Sequence, residues 1–445
     1  MATIASTEFD IPLETTGPSA APAAKRIETL DFIRGVALFG ILLMNVTGFG
    51  LPHAYTNPMN AGGASGINLV AWMITEIGFE GTQRALFSML FGASVILFTS
   101  RLEAAGRTDV GDIYARRNLW LVGFGMVNAW FLLWEGDILY AYGITALFVF
   151  AFRKMPARAL LVIGGATLLA NAAWNAHDAL DTIGKYAPYQ AAVEARGHGA
   201  RLTRAQQSAI TAWEDERGNY KETPRDQKEL VEGIRGGYWS AFWTIAPHNA
   251  WAQSRGLYRW FFDVFSMMLI GMALFRLGVL TLERPTRLYV AMLVLGYGIG
   301  LTVNALETRW IVDHGFSAIS FAQVSISYDL GRLAMAMGHL GGLLLFARSG
   351  IFSWLRRSLA AVGRMAVTNY LTHSLVALIL FILLRWFGAF ERHQLYYVVF
   401  AIWAVQLVAS PIWLRHFRFG PVEWLWRYLT YLKRPPFRRE AEAIA

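Results

Sequence analysis

Ten stretches of the chain, near residues 30–50, 68–100, 118–134, 138–152, 159–177, 260–276, 288–306, 328–347, 365–387 and 396–414, are almost wholly apolar, and short arginine-bearing loops separate most of them. A helix needs roughly 20 mostly apolar residues to cross about 30 Å of hydrocarbon, and in lipid only helices and closed barrels satisfy their own backbone. The fold class that follows is all-α: a polytopic integral membrane bundle of about ten transmembrane helices. Composition agrees, because 55% of the 445 residues are hydrophobic and only 16% are charged, against about 25% charged in soluble domains. A single water-soluble domain is excluded. The stretch 68–100 is too long for one straight crossing and is interrupted by Glu76, Gly78, Glu80, Gly81 and Arg84, so broken or re-entrant backbone is expected there.

Orientation follows from where the basic residues fall. The loops 101–117, 153–158, 276–287 and 348–364 hold fourteen Lys and Arg, whereas the opposite short loops hold two, Arg309 and Arg392. Lys25, Arg26 and the seven basic residues from Arg415 to Arg439 fall on the side of the fourteen, so both termini are expected to be cytoplasmic. The net charge of +9 is no nucleic-acid signal, because the basic residues lie between apolar runs and do not gather on one water-facing domain. The expected organisation is a disordered tail over 1–24, an N-terminal transmembrane bundle over 25–177, an extracytoplasmic helical loop over 178–258, a C-terminal transmembrane bundle over 259–432 and a basic tail over 433–445. The loop's last part carries Trp239, Trp243, Trp251 and Trp260, which suits a helix lying in the interface.

Charged side chains inside a span are expensive and therefore pair, line a polar cavity, or both. Asp31 and Arg34 stand three apart at the start of the first span, with Asn45 about three turns further on. They read either as an end-cap ion pair or as a cradle for phosphate or carboxylate. Glu76, Glu80 and Arg84 are spaced at i, i+4, either neutralising one another or raising a carboxylate toward general-base duty. In GRMAVTNYLTHS, Asn369 and His373 share a helix face and Tyr370 lies beside them, behind Arg364. His339 sits between Gly338 and Gly342, a small-xxx-small pattern of close helix packing. Asp137 either caps the helix that follows or offers a carboxylate to an external substrate.

The chain has no cysteine, which excludes disulfides, a thiolate nucleophile and Cys-ligated metal. It also lacks G-x-x-x-x-G-K-[ST], G-x-S-x-G and any pair of histidines at metal-ligand helical spacing, so ATP-driven transport, serine hydrolysis and a metal centre have no support in the sequence.

Taken in order, RIETLDFIRGVALFGILLMNV, EGTQRALFSMLFGAS, EGDILYAYGI, FSMMLIGMALFRLGVL, LGRLAMAMGHLGGLLL, AVGRMAVTNYLTHSL and FRFGPVEWLWRYLTY resemble the YeiB-like family of bacterial inner-membrane proteins, whose domain has no assigned function. The first string and the G-R-x-x-x-x-N-Y-L-x-H stretch are also similar to membrane acyltransferases of the heparan-α-glucosaminide N-acetyltransferase type. That resemblance implies a multi-pass protein of the bacterial inner membrane with a polar tunnel lined by Asp31, Arg34, Asn45, Glu80, Arg84, Asp137, Arg364, Asn369, Tyr370 and His373. The acetyltransferases place a catalytic His just outside the first span, before a Phe-Pro turn; here only His53 stands there, in GLPHAYTNP.

The leading expectation is a transmembrane O- or N-acyltransferase. Arg34, with Arg84 or Arg364, would hold acyl-CoA as co-substrate, His373, Glu80 or Asp137 would serve as acid–base groups, and Asn45, Asn369 or Tyr370 would donate to the oxyanion. The alternative is a transporter or exporter of a small anionic or amphipathic solute, in which the same charges relay protons. A third reading is a haem-binding or structural membrane protein with His339 and His373 as ligands. Expected partners are the bilayer, acyl-CoA, a glycan or lipid acceptor and a second copy of the chain. No covalently bound cofactor is expected.

Overall fold

The apolar runs fold as helices. In a computed structural model that describes residues 20–55, 57–218, 220 and 223–439, the only strand-like pairing among those residues is one antiparallel bridge between Phe417 and Arg438. Of the tail expected over 1–24, residues 1–19 lie outside the described residues, as do 440–445 of the basic tail.

The helix α1 (Ala20–Gly50) is followed by α2 (Gly66–Gly78), α3 (Thr82–Ala104), α4 (Val110–Trp130) and α5 (Leu139–Val149). Next come α6 (Ala157–Gly197), α7 (Arg204–Gly218), α8 (Pro224–Arg235) and α9 (Tyr238–Trp251), which runs through a π-helical turn at Ala252–Gly256 into α10 (Leu257–Arg276). The second half holds α11 (Thr286–Asp313), α12 (Ala318–Ser325), α13 (Tyr328–Ser349), α14 (Ser353–Arg364), α15 (Ala366–Ala377) with a π-helical end at Leu378–Leu383, α16 (Arg392–His416) and α17 (Pro421–Tyr431). Among the described residues eight segments are long and apolar enough to cross a membrane; of the ten expected stretches, the two that do not qualify, 118–134 and 138–152, lie in or beside α4 and α5 and are short.

The expected break falls at Phe79–Gly81, where Gly81 adopts a left-handed φ of 64°. Glu76, Glu80 and Arg84 therefore do not stack on one helix face: the first lies on α2, the second in the break and the third on α3. The stretch 178–258 is largely helical. α6 runs unbroken for 41 residues, about 60 Å at 1.5 Å per residue and twice the hydrocarbon thickness. The aromatic segment beyond it is helical and continuous with α10.

At several crossings backbones come together where only glycine leaves room, as where Gly125 and Gly143 join α4 and α5. A Cβ on Gly35 or Gly363 would meet the backbone of the other helix where α1 crosses α14, and the same holds for Gly92 and Gly271 between α3 and α10. Gly296 on α11 lies against Gly338 on α13, and a Cβ on Gly338 would strike Tyr297. Of the expected pair Gly338 and Gly342, Gly338 makes the close approach, and Gly341 takes the place of Gly342 against the α11 backbone at Tyr289 and Leu293. α1, α3, α10 and α13 form the interior, with Phe32, Leu38, Met89 and Met268 in the core, while α6, α11 and α16 turn Leu169, Leu295 and Val408 outward.

Hydrogen bonds tie the basic loops into one end of the bundle. Arg276 donates to the carbonyl of Arg153, Arg348 to that of Arg284 at 2.8 Å and Arg116 to that of Thr430 at 2.9 Å. Arg356 pairs with Glu28 at 3.3 Å. The opposite end gathers the close of α1, the 131–138 loop, α8, α9 and the 384–391 loop, where Gly388 N–H donates to Gly50 at 2.7 Å and Asn249 to Ala129 at 2.5 Å.

Candidate functional site

Three polar centres are built into this frame. At the basic end, Asp31 accepts from Arg34 at 2.5 Å, and Arg34 also donates to Ser94 at 3.1 Å. Because Gly35 and Gly363 let α1 and α14 touch, Arg364 at the end of α14 acts electrostatically on the same carboxylate, as does Arg101 from α3. Arg427 and Arg439 stand near this group. Burial pushes the Arg364 guanidinium below its ordinary value, against the pull of Asp31. Five guanidiniums thus gather around Asp31 and Glu423, and Glu423 is already committed. Its oxygens accept from the Val367 and Thr368 amides at 2.7 and 3.0 Å and from the Thr368 hydroxyl at 2.5 Å, which caps α15 from α17. The centre carries excess positive charge in a partly buried setting, which is what an anion site needs.

The second centre is a buried chain of charges in the interior. Asp263 of α10 receives Arg332 at 2.5 Å and Arg84 at 3.3 Å, and Arg332 reaches Asp329 at 2.6 Å. Asn171 and Asn175 of α6 donate to the other oxygen of Asp329 at 3.2 and 3.1 Å. Arg332 is only 2% exposed. Two cations face two anions, so this quartet is neutral. Arg84, expected to answer Glu80, turns to Asp263 and meets Glu80 only through Tyr328, whose hydroxyl donates to Glu80 at 3.1 Å and lies 3.5 Å from Arg84. Tyr55 donates to the other Glu80 oxygen at 2.9 Å.

The third centre lies at the end away from the basic loops. A pocket there is lined by Leu51, Leu133, Ile234, Ile245, Leu378 and Phe387, with His53, Glu135, Thr244 and His248 as its polar groups. The His53 and His248 rings are 5.7 Å apart between centroids. His53 has a positive φ of 44°, a conformation non-glycine residues seldom adopt and one that recurs at functional sites. Burial pushes its imidazole below the ordinary histidine value; Glu135 pulls the other way and His248 adds to the lowering. The π-helical end of α15 supplies Leu378 and Ile382 to the pocket wall.

The remaining expected residues fall between these centres. His373 Nε2 lies 3.0 Å from the Gln406 oxygen, and the Gln406 amide nitrogen donates to the Asn369 carbonyl at 3.2 Å. That orientation makes His373 Nε2 the donor. Asn369 in turn donates to Val362 and Ser410. The Tyr370 hydroxyl accepts from the Ile138 amide at 3.2 Å, which joins α15 to the turn holding Asp137. Asp137 accepts from Asn128 at 2.7 Å and the Tyr140 amide at 2.9 Å, so it caps α5, and burial pushes its carboxyl up to about 6. His339 lies 3.0 Å from the Met335 carbonyl and packs edge-on to Phe79 and Tyr297, a helix-packing role. Asn45 is half-buried along α1. The structure brings Asp31, Arg34 and Arg364 together, and Glu80 with Arg84, but not these two groups with each other or with His373. Sequence reasoning missed Asp263, Asp329, Arg332, Glu135, His248 and Glu423. The D-x-x-R spacing of Asp31 and Arg34 recurs at Asp329 and Arg332, a signal that could have found that pair.

The family model described as a protein of unknown function (DUF418) matches residues 274–433. The chain is 31% identical to the uncharacterized protein YeiB of Escherichia coli strain K12, over 91% of this chain and 96% of that protein. It is 28% identical to the uncharacterized protein YxaH of Bacillus subtilis strain 168, over 94% and 97% of the two chains. An uncharacterized 39.9 kDa protein from the amylase 3′ region of Bacillus acidopullulyticus is 24% identical over 94% of this chain and 98% of its own. No solved structure matches.

Proposed function

The chain belongs to the YeiB-like DUF418 family of membrane proteins, and from that premise we propose a transmembrane acyltransferase of the bacterial inner membrane, with both termini and the basic end in the cytoplasm. The observation that carries this reading is the pairing of opposite ends by one helix. α1 carries Asp31 in the guanidinium cluster and ends at Gly50, roughly 28 Å further on at 1.5 Å per residue, three residues before His53 in the pocket.

In this reading Arg34, Arg101 and Arg364 hold the phosphates of an acyl-CoA at the cytoplasmic end. His53, with Glu135 beside it, accepts the proton of a hydroxyl or amine acceptor at the other end. The acceptor oxygen or nitrogen forms its bond to the acyl carbon, the thioester C–S bond breaks, and the proton taken by the imidazole leaves with the CoA thiol. His373, whose Nε2 is engaged with Gln406, is assigned a positioning role here.

Purified protein in nanodiscs, given acetyl- and longer acyl-CoA, should release CoA thiol in a saturable manner. The absence of cysteine makes a thiol reagent free of protein background. Arg364→Gln should weaken donor binding, and His53→Gln should lower turnover by roughly 10²–10⁴ with donor binding intact. A chain that neither binds nor cleaves any acyl-CoA would overturn the proposal.

A second reading, proton-coupled export of a small anionic or amphipathic solute, has support in the Arg84–Asp263–Arg332–Asp329 quartet, since buried ionisable groups in spans are typical of proton pathways. It predicts solute flux driven by a pH gradient in proteoliposomes and abolished by Asp263→Asn.

A further inference from the structure

We infer that the groove between the outward faces of α11 and α13 seats one acyl chain of an anionic phospholipid from the leaflet beside the basic loops, with the lipid phosphate among Arg284, Arg287 and Arg348. This binding is independent of acyl transfer.

The recess is apolar throughout. Gly296 lets the two backbones approach, the small side chains of Ala291 and Ala334 leave space beside it, and Leu295, Ile299 and Leu330 stand exposed as rims. The groove holds about 350 Å³, and no polar side chain lines it. Water has no partner there, and an empty recess would forfeit the dispersion contacts of its walls, so on a face turned to lipid a hydrocarbon tail fills it. From Leu288 to Ile299, the stretch of α11 that lines the groove, the helix rises about 17 Å. One leaflet's hydrocarbon is roughly 15 Å deep. The groove therefore takes a chain from a single leaflet, lying along the two helices.

Tails alone do not choose a lipid, because every tail is as apolar as leucine. The choice falls to the head. Arg287, Ala291, Leu295 and Ile299 form one i, i+4 row on α11, so a guanidinium stands at the end of the groove nearest the basic loops. Helical side chains lean toward the N-terminus, which carries Arg287 past the last apolar residue of the row. It is exposed and has no hydrogen-bond or ion-pair partner among the described residues. Arg348, at the end of α13, donates to the Arg284 carbonyl at 2.8 Å, which brings two more exposed cations to this end. Glu283, the one acid of the 276–287 loop, stands beside Gly278, and the three cations outweigh it. Depth agrees, because Ile351, Phe352 and Trp354 follow directly on α13 and are exposed, as at the headgroup level of a bilayer. A second copy of the chain fits this face less well: in a symmetric pair inserted the same way, the arginines of both copies would meet at one depth.

The test uses full-length protein in phosphatidylcholine nanodiscs containing a trace of phosphatidylglycerol, or of phosphatidylcholine, that carries a mid-chain diazirine. After irradiation, peptide mass spectrometry should find the phosphatidylglycerol probe concentrated on 288–299 and 330–337. Its density there should exceed that of the phosphatidylcholine probe, and its own density on the outward face of α16, by at least about fivefold, the worth of one basic residue near an anionic head. Unlabelled phosphatidylglycerol should compete, and soluble glycerol phosphate should not. Arg287→Gln should remove about fivefold of the preference and Arg287→Lys should keep it. Ala291→Phe, which fills the groove, should cut insertion there by both probes and leave α16 labelled as before. The comparison of the two probes needs only the unaltered chain, so it decides the matter even if a variant fails to fold. Equal insertion by the two probes, groove labelling no denser than on α16, or a preference untouched by Arg287→Gln overturns the inference. So does equal competition by glycerol phosphate, which would make this a site for free phosphate, or a crosslink joining two copies through α11.

Discussion

His373 is buried and His53 half-buried, and their surroundings give the two imidazoles different capacities. His373 donates to Gln406, a bond that a glutamine amide can reproduce, so His373→Gln should retain most of its turnover. His53 faces a pocket with Glu135 and His248. Since burial holds its pKa below the ordinary 6.5 and the base must be unprotonated, turnover should rise with pH and level off after an inflection below that value. Glu135→Gln removes the charge that raises this pKa, so the inflection should move to still lower pH; an unmoved profile assigns the base elsewhere. Asp137 has the opposite sign. Its carboxyl is raised from 3.8 to about 6, so the folded state holds a proton that the unfolded chain releases. Stability measured by thermal unfolding in detergent should fall as pH rises from about 4 to about 6 and flatten above it. Asp137→Asn should abolish that part of the slope.

At the level of helices, the capping of α15 by Glu423 is the contact with the clearest cost. Two amides and a hydroxyl share one carboxylate delivered from α17. Glu423→Ala should destabilise by about 1–3 kcal/mol, as expected for a lost cap whose partners stay buried, and Glu423→Gln by less, because one acceptor oxygen survives. Chemical denaturation in mixed micelles would measure both. The helices themselves were legible in the sequence because apolar length is a local property, and so was the break at 79–81, where Glu80 and Gly81 interrupt the run. Of the glycine contact between α11 and α13, Gly338 was legible from its spacing to Gly342, while Gly341, which makes the second close approach, was not. Glu423 was not, because the carboxylate and the amides it caps are more than fifty residues apart. Nor was the pocket, whose wall is assembled from five distant segments that each look like ordinary membrane helix or loop.

For the molecule as a whole, the basic loops form one face that hydrogen bonds hold together. If that face is cytoplasmic, an alkaline phosphatase fusion at Glu216 should be active and one at Arg356 inactive. The reverse would invert every assignment of donor and acceptor sides. The neutral quartet in the interior also bears on how the protein is made. Arg84 enters the membrane on α3 roughly 180 residues before its partner Asp263 is synthesised, a wait of roughly ten to forty seconds at about 5–20 residues per second. During that interval the nascent chain carries a lone cation in or beside lipid, held by water, phosphate headgroups or the insertion machinery. Ribosomes that stop before α10 leave a fragment marked by that unanswered charge, which gives a membrane protease a chemical handle for telling an abandoned chain from a finished one.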